Sequence, residues 1–172
     1  MTKIDAHHRF ARGLMSIQAE RVEVQRTAVH KAGHAVTTLA LGGRLAMVMV
    51  DKGICAELSP EEPMAGLSFS FDPTKGRRRT AVLVAGMLAE QAFGHPASWS
   101  GQECSQDSVA LRQLADRKGR GELSAVADAI EMAQPVVTKY KSVIATVARL
   151  LQVRGSLAGP EIEALMAAGG RA

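Results

Sequence analysis

The chain has 172 residues and a formal net charge of +4, and 47% of its residues are hydrophobic while only 3% are aromatic. This length is enough for one domain with a substantial core and too short for two well-buried ones. A core with few aromatic side chains must be built from Ala, Val, Leu, Ile and Met, which favours packed helices over a β-sandwich.

Several classes of protein lack support in this sequence. No apolar run reaches the length of a membrane span, and the N-terminal stretch MTKIDAHHRFARG lacks the apolar segment of a secretory signal. Two cysteines, Cys55 and Cys104, cannot build a disulfide framework or a four-cysteine zinc site. We therefore expect a cytoplasmic protein that does not contact a membrane. The basic run Lys75–Arg79 has no aromatic platform beside it, so we expect a solvated surface there rather than nucleic-acid binding, and it has no assigned role.

The first predicted element is a helix from Ala19 to Leu41, in which apolar residues recur at helical spacing until two glycines end it. Residues 1–20 are expected to form a looser leader, and residues 21–172 the domain itself. The next stretches, RLAMVMV and AGLSFSF, are separated by a loop containing Pro and Ser. They predict a small two-stranded β-ribbon.

The remainder of the chain is predicted to be helical. One helix runs through RRRTAVLVAGMLAEQAF to Gly94, and a second covers about Ser105 to Lys118. A third begins near Glu122 and is interrupted by Pro135, VVTKYKSVIATVARLLQ follows as a fourth, and GPEIEALM gives a last short helix with its proline in the first turn. The sequence thus predicts a mainly α fold with five to six helices and a β-ribbon.

The strongest chemical signal is the stretch TAVHKAGHAV, residues 27–36. His30 and His34 lie one helical turn apart on the same face, so both imidazoles can bind one metal ion. Taken alone the pair is a weak signal, because chance or a packed pair of core histidines gives the same spacing. Small residues beside the histidines, among them Gly33, allow another segment to approach the helix closely and to deliver a third ligand.

This stretch and three later ones resemble, in the same order, the peptidase domain of the FtsH-type membrane-bound ATP-dependent zinc proteases. TAVHKAGHAV is similar to the family's T-A-x-H-E-A-G-H-A-V, and VLVAGMLAEQAFG is similar to a segment with a Gly-x-x-Ala-Glu core. SGQECSQDSVALRQLA resembles a glycine-containing loop followed by Asp and a helix, although the loop is slightly longer here. VARLLQVRGSLAGPEIEALM resembles the closing helix pair. The resemblance covers residues 26 to about 168 and implies an FtsH protease-domain-like fold.

The resemblance also implies a zinc site. In that family the two histidines of the motif and the Asp after the glycine loop bind zinc, and the matching residues here are His30, His34 and Asp107. Read without the resemblance, Asp107 is better explained as an N-terminal helix residue that binds no metal. Glu90 is a rival third ligand, because many zinc proteases take a Glu from a downstream helix. The resemblance gives Glu90 a supporting or structural role instead.

Lys31 occupies the position of the family's catalytic Glu, the general base that takes a proton from zinc-bound water. A protonated ammonium cannot accept a proton. It also repels a divalent ion by about 6 kcal/mol at about 5 Å and an effective dielectric constant of about 20. We expect the side chain to relieve much of this repulsion by extending its ammonium into solvent. The sequence therefore predicts a peptidase-like domain with weak or absent zinc binding and impaired proteolysis, which acts by binding a polypeptide or a protein partner.

Two other interpretations remain open. One is an active zinc metallopeptidase with an atypical base, either Glu90 or Lys31 as a neutral amine in a dry pocket. The other is a small helical adaptor without metal, in which the histidine pair is vestigial. Because the chain has no G-x-x-x-x-G-K-[ST] motif and no membrane span, we expect a free-standing domain without the family's ATPase module. The resemblance further implies that AGLSFSF could hold an extended peptide at a sheet edge and that copies of the chain could assemble as a homo-oligomer.

Overall fold

The structure is a computed structural model that describes residues 3–50, 67–70, 76–95, 107–109, 111–113 and 122–169. The elements in chain order are α1 (Lys3–Ala40), β1 (Arg44–Met49), β2 (Leu67–Ser70), α2 (Gly76–Ala92), α3 (helical at residues 107–109 and 111–113), α4 (Glu122–Lys139), α5 (Lys141–Arg154), β3 (Ser156–Ala158) and α6 (Gly159–Gly169). The predicted mainly α fold with a small antiparallel sheet is confirmed. Among these helices, none has an apolar stretch long enough to cross a membrane. Both cysteines and the predicted helix end at Lys118 lie outside the described residues.

The first helix is longer than predicted, since it begins at Lys3 rather than near Ala19. Its end agrees with the prediction. Gly42 adopts a left-handed backbone with φ 77°, and the N–H groups of Gly42 and Gly43 donate to carbonyls of the last helical turn. The separation of a leader at residue 20 stays a prediction, and the helix passes through that position without a break.

A three-stranded antiparallel sheet of order β2-β1-β3 lies beside the helices. The pair β1–β2 is the predicted ribbon, with a register shift between Leu45 and Met47. The third strand was not predicted, and Ser156–Ala158 pairs with the C-terminal half of β1. Three residues are too few to show the alternation of polar and apolar side chains by which a strand is recognised in a sequence.

The helix α1 is central, and it packs most extensively against α2 and α5, while α2 also packs against α4. The closest approach of α1 and α2 is at Gly33, where a Cβ would lie 2.6 Å from the Cβ of Ala89 and 2.7 Å from the carbonyl oxygen of Ala85. The small residues therefore do admit a second segment, as expected. That segment is α2, however, whereas the third predicted ligand, Asp107, comes from α3.

The prediction that Pro135 interrupts a helix is wrong, because α4 continues through it to Lys139. Pro135 is exposed, so its ring meets solvent, and the helix loses only the one hydrogen bond that a proline cannot donate. The break comes instead at Tyr140, whose φ of −101° and ψ of 20° separate α4 from α5. The predicted helix VVTKYKSVIATVARLLQ is thus divided between two elements.

Candidate metal centre

Three side chains that the sequence analysis proposed as ligands meet between α1 and α3. The Nε2 atoms of His30 and His34 are 2.9 Å apart, and each lies 3.0 Å from Oδ2 of Asp107. Both histidines are 1% exposed, and the side chain of Asp107 is 12% exposed. We call this set of three atoms the donor triangle. Its members come from positions 73 and 77 residues apart, which the fold brings into direct contact.

The other nitrogen of each imidazole ring is held by a hydrogen-bond acceptor. Nδ1 of His30 donates to Oε1 of Glu90 over 2.7 Å, and Nδ1 of His34 donates to the carbonyl oxygen of Val82 over 2.6 Å. A carbonyl oxygen and an ionised carboxylate can only accept, so the neutral rings carry their protons on Nδ1. Both Nε2 atoms therefore present lone pairs to the donor triangle, which is the tautomer that binds a metal ion.

The donor triangle fits a divalent metal ion. Two imidazole nitrogens and one carboxylate oxygen are a common set of protein ligands for catalytic zinc, and they leave a fourth position open. In a tetrahedral zinc site with bonds of about 2.0–2.1 Å the ligand atoms are about 3.4 Å apart. The atoms here need to separate only slightly to reach that spacing. This buried group of His30, His34 and Asp107 could hold a metal ion.

The electrostatic surroundings keep Asp107 ionised. Burial alone would raise the pKa of Asp107, but protonation of the imidazoles, which adds positive charge on His34 and makes both Nε2 atoms hydrogen-bond donors, outweighs burial and lowers this pKa below its ordinary value. A metal cation in the same place would act in the same direction. The carboxylate is therefore available as an anionic ligand at neutral pH.

Gly86 of α2 lies directly against the two imidazoles, and it was not among the predicted site residues. A Cβ at this position would lie 2.6 Å from Nε2 of His30, from Cε1 of the same ring and from Nε2 of His34. Any side chain at residue 86 would therefore displace the donor atoms. The signal was present in the Gly-x-x-Ala-Glu core of the resemblance, whose three fixed residues are Gly86, Ala89 and Glu90.

Glu90 lies on the side of His30 that faces away from the donor triangle. It is 1% exposed, its Oε1 accepts from His30, and its Oε2 accepts from Nε of Arg26 over 2.8 Å. Burial raises the pKa of Glu90, but hydrogen bonds and charge from His30 and Arg26 together lower it below its ordinary value. This position favours a supporting role over that of a third ligand. Arg26 was not predicted as a site residue, although it lies one turn before His30 on the same helix face.

Lys31 does not extend into solvent as expected, since it is 5% exposed. The reason is that this part of α1 is enclosed on every side: all residues from 27 to 38 are buried. In the basic run Lys75–Arg79, by contrast, Arg77 is exposed as expected. It forms an ion pair with Asp128 at 3.3 Å.

No model of a known protein family matches this chain, and no curated protein matches its sequence. The likeness to FtsH-type peptidase domains therefore stays a prediction based on the quoted motifs. The convergence of the donor triangle is independent of that likeness, and it carries the functional argument.

Proposed function

We propose that this chain is a metallopeptidase-like domain that holds zinc at His30, His34 and Asp107 and binds a polypeptide or protein partner without cleaving it efficiently. The observation that carries the metal site is the donor triangle, in which both Nδ1 atoms are already committed to acceptors. A bound zinc ion would supply Lewis acidity toward a carbonyl oxygen or a water molecule in its open position. Two imidazoles and one carboxylate suit several divalent metals, and the resemblance to zinc proteases selects zinc among them.

Impaired cleavage follows from the groups that surround the donor triangle. Lys31 is a cation at the position where the family's motif has its general base. Glu90 cannot replace that base, because both of its oxygens already accept hydrogen bonds on the far side of His30.

Polypeptide binding is supported by the position of β2 at one edge of the sheet, opposite β3. The outer backbone groups of an edge strand can pair with an extended peptide. Residues 67–70 of β2 belong to the stretch AGLSFSF, for which the resemblance implies this role. The proposed partner is therefore an extended segment of another polypeptide.

The second candidate, an active peptidase with Lys31 as the base, is favoured by the 5% exposure of Lys31. A lysine can act as a base only as the neutral amine. Cleavage by the unaltered chain that stops in Lys31→Met would establish this candidate over the first.

The test has two stages. Zinc content is measured after purification and dialysis for the unaltered protein, for His34→Ala and for the control His95→Ala, whose ring lies outside the donor triangle. We expect about one zinc ion per chain in the first and third proteins and none in the second. Absence of zinc from all three, with the fold intact, would leave the adaptor interpretation in place.

The second stage is cleavage of casein and of a quenched fluorescent peptide by the unaltered protein and by Lys31→Glu. We expect cleavage only in Lys31→Glu, because this change restores an anionic base beside His30. The double variant Lys31→Glu with His34→Ala serves as the control, and it should be inactive. Rapid cleavage by the unaltered protein would contradict the proposal.

A further inference from the structure

We infer that Arg26 is a positioning residue for the metal centre: it fixes Glu90, and through Glu90 it holds the His30 imidazole in the orientation and tautomer that direct Nε2 into the donor triangle. This inference rests on the proposed metal-binding function. Arg26 contacts the Glu90 carboxylate, which in turn holds His30, so its effect on the donor triangle is exerted through the carboxylate.

The contacts form a continuous chain from α1 to α2 and back. Nε of Arg26 donates to Oε2 of Glu90 at 2.8 Å, and Nδ1 of His30 donates to Oε1 of the same carboxylate at 2.7 Å. Nε2 of His30 then lies 3.0 Å from Asp107. Each carboxylate oxygen thus has its own donor, which removes the freedom of the carboxylate to rotate.

Because this ion pair is buried, losing one of its partners is more costly than in an ordinary surface ion pair. The side chain of Glu90 is 2% exposed and that of Arg26 is 18% exposed. Among the described residues, Arg26 is the donor to Oε2, so its removal leaves a buried carboxylate oxygen without a protein partner. A buried carboxylate in that position will turn toward another donor or toward water, and it will no longer hold the ring.

The two histidines differ in how their Nδ1 atoms are held, and the difference provides an internal control. Nδ1 of His34 donates to the backbone carbonyl of Val82, which is fixed by the helix α2. Nδ1 of His30 donates to a side chain whose position depends on Arg26. Loss of Arg26 should therefore disturb His30 and leave His34 unchanged.

Substitutions of Arg26 can separate the effect of its charge from the effect of the position of its donor atom. Because the contact uses Nε of Arg26, Arg26→Gln places an N–H donor at the same number of bonds from Cα and removes the charge. Arg26→Lys keeps the charge but places a methylene at that point, with the ammonium one bond farther. Glu23→Gln is a matched control, because Glu23 approaches Nη1 of Arg26 at 3.6 Å, is 53% exposed and has no contact with Glu90.

The experiment records long-range ¹H–¹⁵N NMR spectra of the metal-free protein with ¹⁵N-labelled histidine, at a pH where both rings are neutral. We expect protonated Nδ1 for both His30 and His34 in the unaltered protein, in Arg26→Gln and in Glu23→Gln. In Arg26→Ala and Arg26→Lys we expect a mixture of tautomers at His30 alone. Zinc affinity, measured by competition with a chromophoric chelator, should fall about tenfold in Ala and Lys and stay within about twofold in Gln.

The outcomes separate this inference from the proposed function. An unaltered His30 tautomer in Arg26→Ala, or a Lys variant that behaves like the unaltered protein while Gln behaves like Ala, would overturn the positioning role. If the unaltered protein binds no zinc but the tautomer changes occur as expected, the metal proposal fails and the role of Arg26 in orienting His30 stands. Should Arg26→Ala not fold, as judged by circular dichroism, the comparison of Gln with Lys still decides.

Discussion

Gly86→Ala tests the geometry of the metal centre most directly. A Cβ at residue 86 would lie 2.6 Å from three atoms of the imidazoles of His30 and His34. Carbon and nitrogen atoms normally pack at about 3.5 Å, so the rings would have to retreat by about 0.9 Å. They cannot do so freely, because each ring is held from its far side, one by Glu90 and the other by the carbonyl of Val82.

The loss of stability and of zinc affinity expected in Gly86→Ala can be estimated from these contacts. Leaving a buried hydrogen-bonding group without its partner costs about 1–3 kcal/mol, and forcing a methyl group into a packed core costs a further 1–3 kcal/mol or so. The greater helix propensity of Ala returns about 1 kcal/mol. We therefore expect Gly86→Ala to lower the free energy of unfolding by about 3 kcal/mol and to weaken zinc binding about 100-fold.

The assay combines urea unfolding of the metal-free protein with zinc titration against a chelator. Gly94→Ala is the matched control, since its Cβ would meet no atom within 4 Å while its φ of 77° is unfavourable for Ala. The control should lose about 1–2 kcal/mol of stability and keep its zinc affinity. A Gly86→Ala protein that is as stable as the unaltered chain and binds zinc equally well would refute the described packing of the two rings.

Three further predictions concern charge. Asp107→Asn keeps the shape of the side chain and removes the anionic ligand, so zinc affinity in the chelator assay should fall at least tenfold, and an unchanged affinity would exclude Asp107 as a ligand. Lys31→Met removes the positive charge of a buried residue that follows His30 in the chain, and reduced repulsion should tighten zinc binding at least tenfold; weaker binding would contradict this reasoning. Glu161 accepts hydrogen bonds from the N–H of Ala158 and from Arg154, and the first of these contributes most to a lowered pKa. Its stabilising effect should thus be present above the ordinary glutamate pKa and disappear as pH falls through the lowered folded value. The difference in urea midpoint between the unaltered protein and Glu161→Gln should accordingly vanish in acid, and a pH-independent difference would refute the assignment.

The sequence predicted the histidine pair because its spacing is local, and helical geometry alone places His30 and His34 on one face. Asp107 lies 73 residues beyond His34, and only the order of family-like motifs selected it over Glu90. Nothing in the spacing indicated that Glu90 would contact the outer nitrogen of His30. That distinction depends on how α2 lies against α1, which is a property of tertiary packing.

The burial of Lys31 was missed for a related reason. The periodicity of apolar residues indicates which faces of a helix are apolar, but it does not show how many neighbours cover the helix. Here α1 contacts α2, α5 and the sheet at once, so its polar residues are covered too. Polar residues such as Thr37 and Thr38 are 0% exposed there. Polar residues on one side of α1 therefore do not mean that this side is exposed to solvent. The short strand β3 was missed because pairing with β1, rather than its own composition, makes it a strand.

The long sequence separation within the donor triangle has a mechanical consequence. An ion held by His34 and Asp107 would cross-link α1 to a segment 73 residues away, and would close a large covalent loop in the way that a disulfide does. In the described part of α3, Leu111 is the apolar residue buried in the core. Removal of the ion by a chelator should thus unfold this part of the chain before the rest. Amide hydrogen exchange should then become faster at residues 107–109 and 111–113 and change little in α5.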